Sequence, residues 1–150
     1  MPMTMTRIFP AALIAAAALA APLAQAADAT DPTVKARQEA MDKIGKNMKI
    51  ISEMAKGERG FDPDVASAAS AAIAEQATEV PALFEMQADD PESTAKPAIW
   101  EDFDDFTAKA ETLQTRAEAA DVGTPDALRA SLMDLGSACK SCHDDYRTKD

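Results

Sequence analysis

Along most of this chain apolar side chains recur at spacings of three and four, the period of one helix face, and turn-forming residues divide the pattern into four stretches. Val34, Met41, Ile44, Met48, Ile51 and Ala55 form the first stripe, with Arg37 in register, and Gly57 and Gly60 end it. Asp62-Pro63 then reads as a helix start, an acidic cap followed by a proline whose missing N–H is harmless in a first turn. Val65, Ala69, Ala72, Ile73 and Val80 continue this Ala-rich stripe to Pro81, the expected breaker. Residues 81–96 read as the longest connection, containing the turn formers Asp89-Asp90-Pro91 and a local apolar group of Leu83, Phe84 and Met86. A third helix opens near Pro97, where Ile99, Phe103, Phe106, Ala110, Leu113, Ala117 and Ala120 repeat with the greatest regularity in the chain. Beyond Gly123, Thr124-Pro125 starts a fourth, whose stripe is Leu128, Leu132, Leu135, Cys139, Cys142 and Tyr146. No segment alternates with period two, and there is no internal repeat or Gly-rich phosphate loop. The pattern predicts an all-α antiparallel four-helix bundle with short links.

The last stripe ends in Cys139-Lys140-Ser141-Cys142-His143, the C-x-x-C-H spacing of a c-type haem attachment site. Two thiols three apart each add to one vinyl group of haem, and the adjacent imidazole reaches the iron, so each residue type serves a different bond. A zinc site would need more ligands, since these are the only cysteines and His143 is the only histidine. A thioredoxin-like pair belongs beside a strand, and residues 128–147 do not read as one. A disulfide or dithiol is the remaining alternative to one covalently bound haem c held by two thioethers.

The N-terminus changes the picture of where this chemistry happens. Arg7, the apolar run from Ile8 to Leu23 and the small-x-small triplet Ala24-Gln25-Ala26 have the layout of a secretory signal peptide, residues 1–26, which leaves a single bundle domain at 27–150. The run is Ala-rich and interrupted by Pro10 and Pro22, so a membrane anchor is the weaker reading, and the expected location is the periplasm with no membrane contact after processing. The chain has 15 basic and 26 acidic residues, a net charge of −11, and loss of Arg7 leaves 14 against 26, or −12. That field excludes nucleic acid and anionic lipid as general partners.

His143 is consumed by the motif, so the sixth iron position falls to a methionine sulfur or stays open. Five methionines follow the signal: Met41, Met48, Met54, Met86 and Met133. Met133 shares the helix of His143, about 15 Å away along the axis, and is expected in the core. Antiparallel first and last helices put the end of one beside the start of the other. His143 lies roughly 10 Å from the chain's end and Met41 roughly 12 Å past a helix start near Thr33, so the two levels agree. Met48 and Met54 lie too deep and are expected to pack. Arg37 and Gln38, four and three positions before Met41, are candidate donors to a haem propionate, with a solvated helix face as the alternative. Trp100, Phe103, Phe106 and Tyr146 are expected against the porphyrin or in ordinary core packing. The acids Glu101, Asp102, Asp104 and Asp105 read as a solvated outer face.

A four-helix chain with its only C-x-x-C-H on the last helix, written Cys-Lys-Ser-Cys-His-Asp-Asp-Tyr-Arg, resembles the cytochromes c-prime, the class II c-type cytochromes. Arg37-Gln38 ahead of Met41, Pro97-Ala98-Ile99-Trp100 and Tyr146-Arg147 are similar to the family as well. The resemblance implies that Met41 occupies the distal position and that Arg147, one turn past His143, lies near the proximal imidazole. The run from Met41 to Met48 looks more like the low-spin branch, which includes proteins called cytochrome c-556, where a methionine of the first helix binds iron. The expected function is electron transfer with His143 and Met41 as axial ligands and a redox protein as partner. The alternative is a five-coordinate, high-spin protein that binds nitric oxide or carbon monoxide. Enzymatic turnover is not expected, since no acid–base group is visible beside Met41, and the resemblance allows a monomer or a homodimer.

Overall fold

The structure, a computed structural model, describes residues 29–149; the expected signal peptide lies outside them. Helix α1 spans Pro32–Lys56 because Asp31 accepts from Thr33 N and Val34 N ahead of Pro32, and it ends where Gly57 takes φ 78°, a left-handed conformation that favours glycine. Asp62 caps α2 in the same way before Pro63. That helix continues through Pro81 to Phe84, one turn further than the expected break. Its end is held from outside: Arg37 Nε donates to Leu83 O at 2.9 Å, Arg37 Nη2 donates to Met86 O, and Trp100 Nε1 donates to Phe84 O at 2.7 Å. Carbonyls that a helix end leaves without partners are thereby satisfied, and buried Phe84 anchors the turn.

The expected third helix is split. A single turn, α3 (Ala98–Glu101), stops at Asp102, whose side chain then caps α4 (Phe103–Glu118) by accepting from Asp105 N at 3.2 Å. Thr124 caps α5 (Pro125–Tyr146) through Ala127 N. Beyond α5 the chain turns extended at Arg147, forms an isolated bridge with Ala95, and donates from Thr148 N to Thr94 O at 2.8 Å.

The long helices α1, α2, α4 and α5 close an antiparallel ring, α1 packing on α2 and α5 and α4 packing on the same two. Ile51, Ile73, Ile99, Leu128, Leu135 and Val34 are the largest fully buried side chains. Two expectations fail at the surface. Met133 is 76% exposed and so is not core, and Val65 is 39% exposed. Val65 sits on the outer edge of its stripe and Met133 one position off the stripe through Leu132, where period alone does not reveal which flank meets a neighbour.

Candidate haem-binding site

The C-x-x-C-H residues occupy the last turns of α5. Cys139 and Cys142 are half-buried free thiols. Burial pushes Cys142 up to about 11, partly offset by Lys109, and raises Cys139 as well. The imidazole of His143 is held below its ordinary pKa, first by partial burial of the ring and then by the charge of Arg147, with Asp144 acting the other way. A neutral imidazole has a ring nitrogen free to coordinate a metal.

Arg129 Nε donates to Ala55 O at 3.0 Å, which puts the start of α5 beside the end of α1. Both helices rise equally per residue, and fourteen positions along from Arg129 stands His143 while fourteen back from Ala55 stands Met41. Met41 and His143 thus occupy one level on facing helices, to within about one turn, the reach of an arginine side chain. Along this seam Met41, Gly45, Met48 and Ser52 form one stripe of α1, and Leu132, Gly136, Cys139 and His143 form one of α5. A cleft of ≈ 440 Å³ is lined by Gly45, Met48, Ser52 and Leu132. A Cβ added at Gly45 or Gly136 would meet nothing within 4 Å.

The seam combines apolar surface with a buried cationic donor. Met41, Met48, Leu132, Cys139 and Cys142 pack against the core yet stay only partly buried, leaving apolar surface for a flat ring to cover. Arg37 is 3% exposed, and its Nη1 is buried with no partner, an orphaned cationic donor one turn from Met41 and suited to a carboxylate.

Residues 32–147 match a family model described as Cytochrome C'. The chain belongs to the cytochrome c' family. It is 40% identical over 119 residues to "Cytochrome c-556" of Agrobacterium fabrum (strain C58 / ATCC 33970), covering 77% of this chain and 81% of that one. Against "Cytochrome c'" of Rhodopseudomonas palustris (strain ATCC BAA-98 / CGA009) the identity is 38% over 117 residues, 75% of this chain and 80% of the other. The solved cytochrome c' from Rhodopseudomonas palustris superposes with a TM-score of 0.72 at 33% identity, covering 80% of this chain and 98% of that structure. Cytochromes c' carry one covalent haem c, and this chain has the two cysteines of such an attachment.

Within this cytochrome c' fold the other candidates take different places. Arg37 is chiefly a clamp on the end of α2, its guanidinium 4.5 Å from the Phe84 ring centre and 5.4 Å from that of Trp100; burial lowers its pKa and Asp31 opposes. Gln38 donates from Nε2 to Glu92 O at 3.1 Å, so its amide N–H faces the α2–α3 connection. Arg147 donates its backbone N–H to His143 O and carries its charge near the imidazole. Phe84, Phe103 and Tyr146 all pack around Phe106, with centroids 5.0, 5.9 and 5.4 Å from it.

Two groups near the site escaped the sequence reading. Lys109 Nζ lies 2.9 Å from Asp145 Oδ2, 3.3 Å from Ser141 Oγ and 3.7 Å from Asp105 Oδ2, tying the haem-motif turn to α4; Asp145 chiefly raises its pKa. Asp105 also accepts from the Tyr146 hydroxyl at 2.6 Å, so one of the expected solvated acids is part of a cross-helix network. Asp90 accepts from Thr30 N at 2.8 Å, Thr30 Oγ1 at 3.0 Å and Asp31 N at 2.9 Å, pinning the connection to the start of α1. Their cross-element partners, Asp145 and Ser141 for Lys109 and Thr30 and Asp31 for Asp90, are distant in sequence, so no local pattern reveals these ties.

Proposed function

We propose that this member of the family is a periplasmic electron carrier whose haem c is joined to Cys139 and Cys142 and whose iron takes His143 and Met41 as axial ligands. The level match of Met41 and His143 across the α1–α5 seam carries the reading. The similarity to proteins called cytochrome c-556 supports it. Bound haem supplies one-electron chemistry, with thioether ligation favouring the ferrous state and raising the potential. The protein's part is to hold an imidazole and a sulfur on helices packed into one bundle, so neither ligand has far to move when the oxidation state changes. Arg37 Nη1 supplies a donor for a propionate, and Arg147 keeps positive charge beside the proximal imidazole. Ala40 and Ile44, flanking Met41 on the inner face of α1, are apolar and bring no acid–base group, so no catalytic turnover is assigned.

A second reading rests on the likeness to a nitric oxide complex of a cytochrome c prime mutant from Alcaligenes xylosoxidans, 31% identical with a TM-score of 0.66 and covering 78% of this chain and 94% of that one. In it Met41 only packs and the sixth position takes a small gas. Visible spectra of the purified ferric and ferrous holoprotein, with and without carbon monoxide, separate the two. Low-spin bands, a sulfur-to-iron charge-transfer feature and slow carbon monoxide uptake are expected, and Met41→Ala should yield a high-spin protein with prompt uptake. An unchanged spectrum in Met41→Ala would remove Met41 as ligand.

A further inference from the structure

We infer that Lys96 and Lys109 are positioning residues for His143: from two different elements they clasp the last turns of α5 and fix the orientation in which its imidazole is presented to haem iron. The inference rests on His143 as the proximal ligand and holds whichever group takes the sixth position. Of the lysines among the described residues, these two alone are half-buried rather than exposed, and both reach the same helix end. A lysine carries large side-chain entropy and a strongly hydrated charge, so holding two of them at one place opposes folding unless specific contacts offset it.

His143 stands where α5 runs out. The N–H of Arg147 donates to His143 O at 3.1 Å, and from there the chain turns extended, which leaves the carbonyls of Asp144, Asp145 and Tyr146 beyond the helix ladder. Lys96 satisfies all three. Its Nζ donates to Asp144 O at 2.9 Å and to Asp145 O at 3.1 Å, and its backbone N–H donates to Tyr146 O at 2.9 Å. A cation here also meets the negative end of the helix dipole.

Lys109, on α4, holds side chains of the same turns. Its Nζ lies 2.9 Å from Asp145 Oδ2 and 3.3 Å from Ser141 Oγ, and Ser141 is one of the two residues between the cysteines. Asp105, one turn earlier on α4, accepts from the Tyr146 hydroxyl at 2.6 Å and lies 3.7 Å from Lys109 Nζ, which closes the network. An isolated surface ion pair would count for little, but this pair belongs to a network that crosses between helices. A terminal turn held only by its own bonds frays. Neighbouring groups orient a metal-bound imidazole, and with two torsions between ring and backbone the path of the turn decides where the ring points.

The test uses ferric holoprotein and proton NMR of the haem methyl groups, whose paramagnetic shifts follow the orientation of the proximal imidazole, together with the midpoint potential. Lys109→Met and Asp145→Ala break the same tie while changing charge in opposite senses. Both are expected to displace the methyl shifts in the same direction, with the potential falling in Lys109→Met and rising in Asp145→Ala. The double variant should move the methyl shifts no further than either single one, since the two residues act through one contact. Lys96→Met, which uncaps three carbonyls, should displace them too, and Lys109→Arg should restore the parent's pattern. Parent-like methyl shifts in either lysine variant, or opposite displacements in Lys109→Met and Asp145→Ala, would overturn the assignment. Asp145 has a side chain 57% exposed, so its variant keeps the test decisive if a lysine variant does not fold: parent-like shifts there remove Lys109 from the role. Failure of His143 as ligand shows separately, as a His143→Ala variant with the parent's visible spectrum.

Discussion

Arg37 shows how one side chain serves two parts of the molecule. On the sequence it is an arginine in register with an apolar stripe, and in the fold it closes the end of α2, stacks between two aromatic rings and keeps one buried N–H without a protein partner. A buried guanidinium without a full set of acceptors is costly, which gives the orphaned donor its interest as a haem contact. Asp90 is the complementary case. Backbone N–H groups of Asp31 and Glu92, with Thr30 behind them and burial opposing, hold its carboxyl at about 2. Because its folded pKa lies below that of an unfolded aspartate, its contribution is complete above pH about 4 and is lost as the pH falls towards 2. Asp90→Asn should be less stable than the parent at neutral pH and converge with it in that acid window, measured by urea midpoints across pH.

At the level of helices, the starts and the glycine end of α1 were readable, and the end of α2 was not. Asp62 and Thr124 precede prolines and cap as read from the sequence, because a cap bonds to N–H groups two or three residues away, and Asp31 before Pro32, which the sequence reading did not single out, caps in the same way. Pro81 is different: it withholds an N–H from the helix ladder, and α2 still continues because Arg37 and Trp100 hold its last turn from other elements. Pro81→Ala should therefore stabilise the protein by about 1–2 kcal/mol, the regained helical bond exceeding the entropy that proline removes from the unfolded chain. A higher urea midpoint at unchanged slope would confirm it. The break at Asp102 was equally hidden, since the stripe from Ile99 to Ala120 runs through it, and only a capping bond to Asp105 N marks where the axis restarts.

Across the whole molecule a cleft of ≈ 440 Å³ opens on the seam between α1 and α5, beside the residues proposed to meet haem. Chain matured without haem should bind an apolar dye such as ANS and unfold at least several degrees below the holoprotein, because Met41, Met48 and Leu132 then stay half-exposed and no ligand stabilises the folded state. Equal melting temperatures and no dye binding in the haem-free chain would show that the seam closes unaided.

Helix periods, caps, the C-x-x-C-H triplet of chemistries and the level of Met41 against His143 all follow from residues a few positions apart or from counting along rigid helices, so the family and bundle were legible before any fold was seen. Pairings between distant elements were not. Arg37 meets Leu83 across 46 positions, Lys109 meets Ser141 across 32 and Asp90 meets Thr30 across 60. No local rule encodes those contacts. They exist because burying the apolar stripes brings the helices together in one register, and that packing decides which polar side chains find partners, which flank of each stripe stays wet, and where the seam remains open.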